Sequence, residues 1–327
     1  MADQRAAVTL SQRHFHDGMT ELATYDEFTV SAFRYSTGVC ALRLANAAGW
    51  IDCLPFQGQQ IWDAWFLGRR LTMGSMFPEP RPTLDYLSTY GAFLIHCGAT
   101  GMGHPGPTDD HPLHGELPNA PYQSARLLMG RDDTGPYVGL TGAYQHTVAF
   151  AHNYVARPTL RLYPGSLVRL DLTIANLRHA PMDLMYLAHV NFRPVDGGRL
   201  VDARPVEPRV FTPGQAFDPE LVARLDPVAD ATGWAHSLQL HPDGGADVVS
   251  HRPDQLPVAL LWISRTIDQE ALGLALPATA EADGYAAAKA KGDMVTLAPG
   301  ETFACSVRFG ALPPRAAAEL AEAVRAT

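Results

Sequence analysis

Histidine is the side chain best suited to exchange protons near neutral pH, and this 327-residue sequence uses it unevenly. Four histidines, His96, His104, His111 and His114, fall in the run Phe93 to Tyr122, FLIHCGATGMGHPGPTDDHPLHGELPNAPY, among Gly, Pro and Asp. Glycines let a backbone come close to a ligand, so a loop of this composition is either a ligand site or a solvated surface loop. A second candidate is Met185 to Pro194, MYLAHVNFRP, an apolar run carrying His189 and Asn191 two residues apart. In a strand both would share one face. A histidine there must be hydrogen-bonded within the core or must face a polar cavity. His111-x-x-His114 with Asp109 and Asp110 supplies nitrogen and oxygen ligands close in sequence, which would suit a metal. The HPLHG segment contains a proline and reads as loop, so the helical same-face argument for a metal motif does not apply. The expectation is no metal and no cofactor. No GxSxG elbow, Walker loop or GxGxxG fingerprint is present, which disfavours serine hydrolases, nucleotide hydrolases and dinucleotide-dependent dehydrogenases.

The elements that must position these residues read as strands. Short alternating or β-branched apolar segments recur at intervals of roughly 8–12 residues, separated by Gly, Pro, Asn and Asp. Half-buried strands are expected at Glu27 to Phe33 (EFTVSAF), Gly38 to Leu44 (GVCALRL), Leu167 to Ile174 (LVRLDLTI), Val258 to Ile263 (VALLWI) and Phe303 to Phe309 (FACSVRF). Helices are expected at Pro219 to Leu225 (PELVARL) and, more strongly, at Pro313 to Ala326, which opens on prolines and carries Leu320 and Val324 on one stripe. The Pro- and Gly-rich stretch Met76 to Pro82 reads as a loop and not a linker. With no compositional break, residues 1–327 are expected to form a single all-β domain.

Charge and composition narrow the partners. A net charge of −9 without any Lys/Arg run argues against nucleic acid and favours a small, neutral or polar ligand. The N-terminal stretch MADQRAAVTLSQRHF lacks an apolar leader core, and no segment is long enough to cross a bilayer, so a cytoplasmic protein without membrane contact is expected. Cys40, Cys53, Cys97 and Cys305 show no CxxC spacing and read as buried free thiols.

Several motifs, in order along most of the chain, resemble the galactose mutarotase-like (aldose 1-epimerase) superfamily, in particular a poorly characterised branch of it. LHGELPNAPY resembles its HG-containing segment, FLIHCGATGMG the apolar strand before it, and PFQGQQIWDAWFLGRRL an N-terminal hairpin around a GQ-IWDA core. TIANLRHAPMDLMYLAHVNF is similar to a strand pair ending in His-x-Asn-Phe, and LGLALPATAEADGYAAAKAKGDMVTLAPGET to the closing segment. The resemblance implies a large twisted antiparallel β-sandwich with a sugar in its concave face. It implies an isomerase that interconverts sugar anomers by acid/base ring opening. His189 would be the general acid at the ring oxygen, and His114 would hydrogen-bond and polarise the sugar. His96, His111, Asn119 and Asn191 would help to bind and orient it.

Two departures from the family pattern stand out. Where the family carries its base glutamate in G-L-E-P, this chain reads Gly273, Leu274, Ala275, Leu276, Pro277, leaving Glu281 or Asp283 as replacement bases. After the HG pair stands Glu116, where the branch commonly has Arg, so a neutral, amino or keto sugar is expected over a phosphorylated or sulfonated one. Two alternatives stay open: a sugar-binding protein without mutarotase activity, and a metal-dependent isomerase or lyase on a keto sugar using the histidine-rich loop. The expected partner is a small-molecule sugar, with a homodimer as an open option.

Overall fold

The computed structural model describes residues 3–204 and 206–327, so part of the N-terminal stretch read for a leader, residues 1 and 2, lies outside the described residues. Among the described residues strands dominate, and they assemble into two antiparallel sheets, one of nine strands and one of twelve. The main core lies between the sheets and includes Phe93, Tyr154, Tyr186, Phe192 and Phe309, all of them buried. This is the all-β architecture expected from the strand rhythm and the β-sandwich implied by the family resemblance. No helix among the described residues is long and apolar enough to cross a membrane.

Five neighbouring strands of the larger sheet bear on function. In chain order they are β1 (Leu94–Ala99), β2 (Met182–Val190), β3 (Phe217–Leu225), β4 (Val258–Arg265) and β5 (Glu270–Ala278). Their order across the sheet is β3-β4-β5-β2-β1. β4 is buried along its whole length, where the sequence suggested half burial. A second apolar cluster covers its other face, with Trp62, Met73, Leu187, Leu260 and Leu276 among its members.

Three expectations are corrected. Pro219 to Leu225 is not a helix but part of β3, because Leu221, Ala223 and Leu225 alternate inward while Glu220, Val222 and Arg224 point outward. Pairing of Val222 with Trp262 and of Arg224 with Leu260 completes the strand's hydrogen bonds, which a seven-residue helix could not supply by itself. The strand Leu167–Asn176 and β2, read as a pair, lie in different sheets. Asn176, buried between them, donates to Ala180 O, Leu297 O and Ala298 O at 2.9, 3.0 and 3.1 Å. His96, read as part of the loop, lies in β1.

The terminal helix forms as expected, as α2 (Pro314–Ala326), and a short α1 (Tyr285–Lys291) precedes it. All four cysteines are free and buried.

Candidate functional site

A cavity of about 570 Å³ opens on the outer face of β3, β4, β5 and β2, within the size range of small-molecule sites. Its walls come from Glu220, Val222 and Arg224 of β3, Leu260 and Trp262 of β4, Leu276 of β5, and Leu187 and His189 of β2. Tyr86, Tyr90, His104, Leu113 and His114 close it from one side, and Glu281, Ala282 and Asp283 from another.

His189 and His114 meet at this cavity, their rings 5.5 Å apart between centroids and nearly perpendicular at 84°. His189 is 4 % exposed, and its Nδ1 lies 2.5 Å from Asn191 Oδ1. Asn191 Nδ2 donates to Ala92 O at 2.9 Å, which fixes the amide so that its oxygen faces the imidazole. His189 Nδ1 therefore carries the proton and Nε2 offers a lone pair to the cavity. Burial lowers His189 to about 4, partly offset by the Asn191 hydrogen bond. The ring is neutral at pH 7, so it starts as a proton acceptor.

His114 has a left-handed backbone, φ 60, which is uncommon for a residue with a side chain. Its N–H donates to Gly103 O at 3.0 Å and its carbonyl accepts from Gly98 N at 2.9 Å, so the loop holds it there from both sides. Gly115 follows at φ 78, where a Cβ would strike the carbonyl oxygens of Gly98 and Gly101. This is the physical reason for the HG pair: two successive left-handed residues turn the imidazole into the cavity against Tyr86, at 5.0 Å between rings. His114 Nδ1 is buried without a partner, so the ring proton belongs on Nε2, since a buried unpaired N–H costs more than a buried lone pair. Burial first, then His189, His104 and His111, lower His114 to about 3.

The other expected site residues divide. Glu281 and Asp283 line the cavity, but both are tied to cations. Arg224 Nη1 donates to Glu281 at 2.6 Å, and Lys291 Nζ donates to Glu281 at 2.5 Å and to Asp283 at 2.8 Å. Lys291 and Arg224 hold the Glu281 carboxyl below its ordinary value, which weakens it as a base. His96, His111, Asn119 and Asn191 are not among the cavity-lining residues. His96 Nδ1 bonds Tyr186 OH at 2.8 Å; His111 Nδ1 donates to Pro112 O at 2.8 Å and its Nε2 accepts from Tyr285 N at 3.3 Å. Asn119 accepts from Gln60 Nε2 at 2.9 Å and donates to Asp85 O at 3.2 Å.

Glu116 also turns away from the cavity. It accepts from Ala99 N, Thr100 N, Thr100 Oγ1 and Tyr154 OH at 3.2, 3.1, 2.8 and 2.5 Å. The charge argument drawn from Glu116 therefore does not apply to a ligand in this cavity. Among the described residues no group of three or more His, Cys, Asp or Glu is placed to hold a metal ion. His111 is turned into its own loop and His114 into the cavity.

The residues that sequence reasoning missed are Glu220, Arg224, Trp262, Tyr86 and Tyr90. Trp262 Nε1 donates to Glu220 Oε2 at 2.6 Å, and the Trp262 ring packs edge-on against His189 at 5.2 Å. The alternation Glu220, Val222, Arg224 was the available signal, hidden by the helical reading of that segment.

The fold is that of a galactose mutarotase-like β-sandwich. The structure is similar to that of a protein proposed to be an aldose 1-epimerase from Klebsiella pneumoniae subsp. pneumoniae, with a TM-score of 0.84, 17% identity, and coverage of 98% of this chain and 95% of that one. It is similar to a galactose mutarotase-like protein from Clostridium acetobutylicum, with a TM-score of 0.62, 10% identity, and coverage of 87% and 98%. It also resembles a protein proposed to be an aldose 1-epimerase from Escherichia coli K12, with a TM-score of 0.56, 15% identity, and coverage of 90% and 99%. At these identities the likeness is one of fold. No curated protein matches the sequence. The chain belongs to the family described as "Domain of unknown function (DUF4432)", whose model matches residues 36–200.

Proposed function

We propose that the cavity binds a sugar and interconverts its anomers, as an isomerase of the aldose 1-epimerase type. The observation that carries this reading is the imidazole pair: His189 offers a lone pair and His114 an N–H to one cavity, 5.5 Å apart between ring centroids. Ring opening removes the proton from the anomeric hydroxyl, breaks the bond between the anomeric carbon and the ring oxygen, and places a proton on that oxygen. His189 Nε2 takes the hydroxyl proton and returns it to the ring oxygen, while the His114 N–H hydrogen-bonds and polarises the leaving oxygen. Rotation about the C1–C2 bond of the open aldehyde and the reverse steps give the other anomer. The fold shared with galactose mutarotase-like proteins is consistent with this reading but does not carry it.

The test is proton NMR of anomer exchange in freshly dissolved aldoses with and without the protein. Acceleration over buffer is expected, and its absence for every sugar that binds would overturn the proposal. One observation favours binding without turnover: Leu276 lies on the cavity wall, 3 % exposed, in the segment where the family resemblance places a glutamate. That second reading expects thermal stabilisation by the sugar and exchange at the buffer rate.

A further inference from the structure

Three carboxylates line the cavity, and two of them, Glu281 and Asp283, have cationic partners within hydrogen-bond distance. Glu220 differs. Among the described residues its side chain accepts one hydrogen bond, from the Trp262 indole at 2.6 Å, and no Lys, Arg or His pairs with it. The indole consumes one of its several lone-pair sites and neutralises none of its charge. The nearest cation on the same strand, Arg224, is already engaged by Glu281 at 2.6 Å.

The surroundings favour a positive guest. Trp262, Tyr86 and Tyr90 line the same cavity, and the face of an aromatic ring attracts an ammonium group. His114 and His189, lowered to about 3 and about 4 by burial, add no positive charge at neutral pH to repel one. An anionic sugar would meet Glu220 without a free cation to offset it.

We propose that the cavity's ligand is an aminated sugar, and that Glu220 is the specificity residue that receives its ammonium group. The inference rests on the reading of the cavity as a sugar site, and it does not depend on catalysis there. Its test is binding, measured by calorimetry on the full chain with glucosamine and galactosamine against glucose, galactose and N-acetylglucosamine. The free amines are expected to bind about tenfold tighter than their neutral counterparts, as one charge-assisted hydrogen bond would give. Glu220→Gln keeps an oxygen for the Trp262 N–H and removes only the charge, so it should bring the amines to the affinity of the neutral sugars. The preference should also fade as pH rises through the amine's own pKa, which a purely structural role for Glu220 would not produce. Equal or tighter binding of neutral sugars, a preference that survives Glu220→Gln, or binding of no sugar in the panel would each overturn the proposal. Selective amine binding without anomer exchange would overturn the mutarotase reading alone.

Discussion

The loop from Thr100 to Tyr122 sends polar side chains in two directions, and the two groups fare differently. Those turned towards the loop's own interior and the core use up their bonding capacity. Glu116 accepts four hydrogen bonds, from Ala99 N, Thr100 N, Thr100 Oγ1 and Tyr154 OH, and Asp109 accepts from Gly106 N and Ala286 N. His111 uses both ring nitrogens, on Pro112 O and Tyr285 N. Those turned towards the cavity keep capacity in reserve: His114 has an Nδ1 without a partner, and of the strand residues facing it His189 commits one nitrogen and Glu220 holds one indole. A buried polar group whose valences are all filled from within holds structure together, while one with a valence left over beside a cavity is available to a ligand.

The contrast can be broken most sharply at His189. Replacing His189 by Ala is expected to lower anomer exchange by about 10²–10⁴-fold, the usual contribution of a positioned acid/base, with an unchanged far-UV spectrum. Full turnover in the folded variant would remove it from the site. Glu116→Ala should do the opposite: it strands two backbone N–H groups and two hydroxyls, costing roughly 2–4 kcal/mol of stability in urea unfolding. Exchange per folded molecule should stay near the parent value; a specific loss of activity would mean that Glu116 acts on the ligand after all.

The pH dependence of stability sharpens the comparison further. His96, His189 and His251 are lowered by burial to about 4 and His114 to about 3, against an ordinary value near 6.5. The unfolded chain binds these protons first as pH falls, so their contribution is fully present above about pH 6.5 and is lost progressively towards pH 4. Unfolding midpoints should drop over that window, and a flat profile from pH 6.5 to 4 would contradict neutral buried rings. The smallest effect is expected from Lys291→Met, which removes one of two cations on Glu281 and leaves Arg224 in place. A change in exchange rate within about twofold is expected, because exposed ion pairs contribute little; a tenfold rise would promote Glu281 to the base.

Much of the architecture was legible in the sequence. Alternation reads Glu27 to Phe33, Leu167 to Ile174 and Phe303 to Phe309 as strands, and strands stand there at Phe28–Arg34, Leu167–Asn176 and Thr302–Leu312, because a period of two survives whatever the strand packs against. The histidine-rich loop and the His189/Asn191 strand could be read as site candidates from residue type, and the resemblance picked out His114 and His189, both of which reach one cavity. Pro219 to Leu225 escaped, since seven residues with mixed polarity fit a helix turn as well as an edge strand, and the pairing with β4 decides.

What the sequence by itself determined is the set of residue types and the strand-rich pattern. The tertiary structure alone decided how each polar group's bonding capacity is spent. His111 and His114 stand three residues apart, yet one is saturated and the other faces the cavity; Glu116 and Glu220 are chemically identical, yet one accepts from four donors and the other from a single indole. The physical reason is that hydrogen-bond partners and counter-charges come from segments remote in sequence, Tyr285, Tyr154 and Trp262 among them, and only folding brings those segments together.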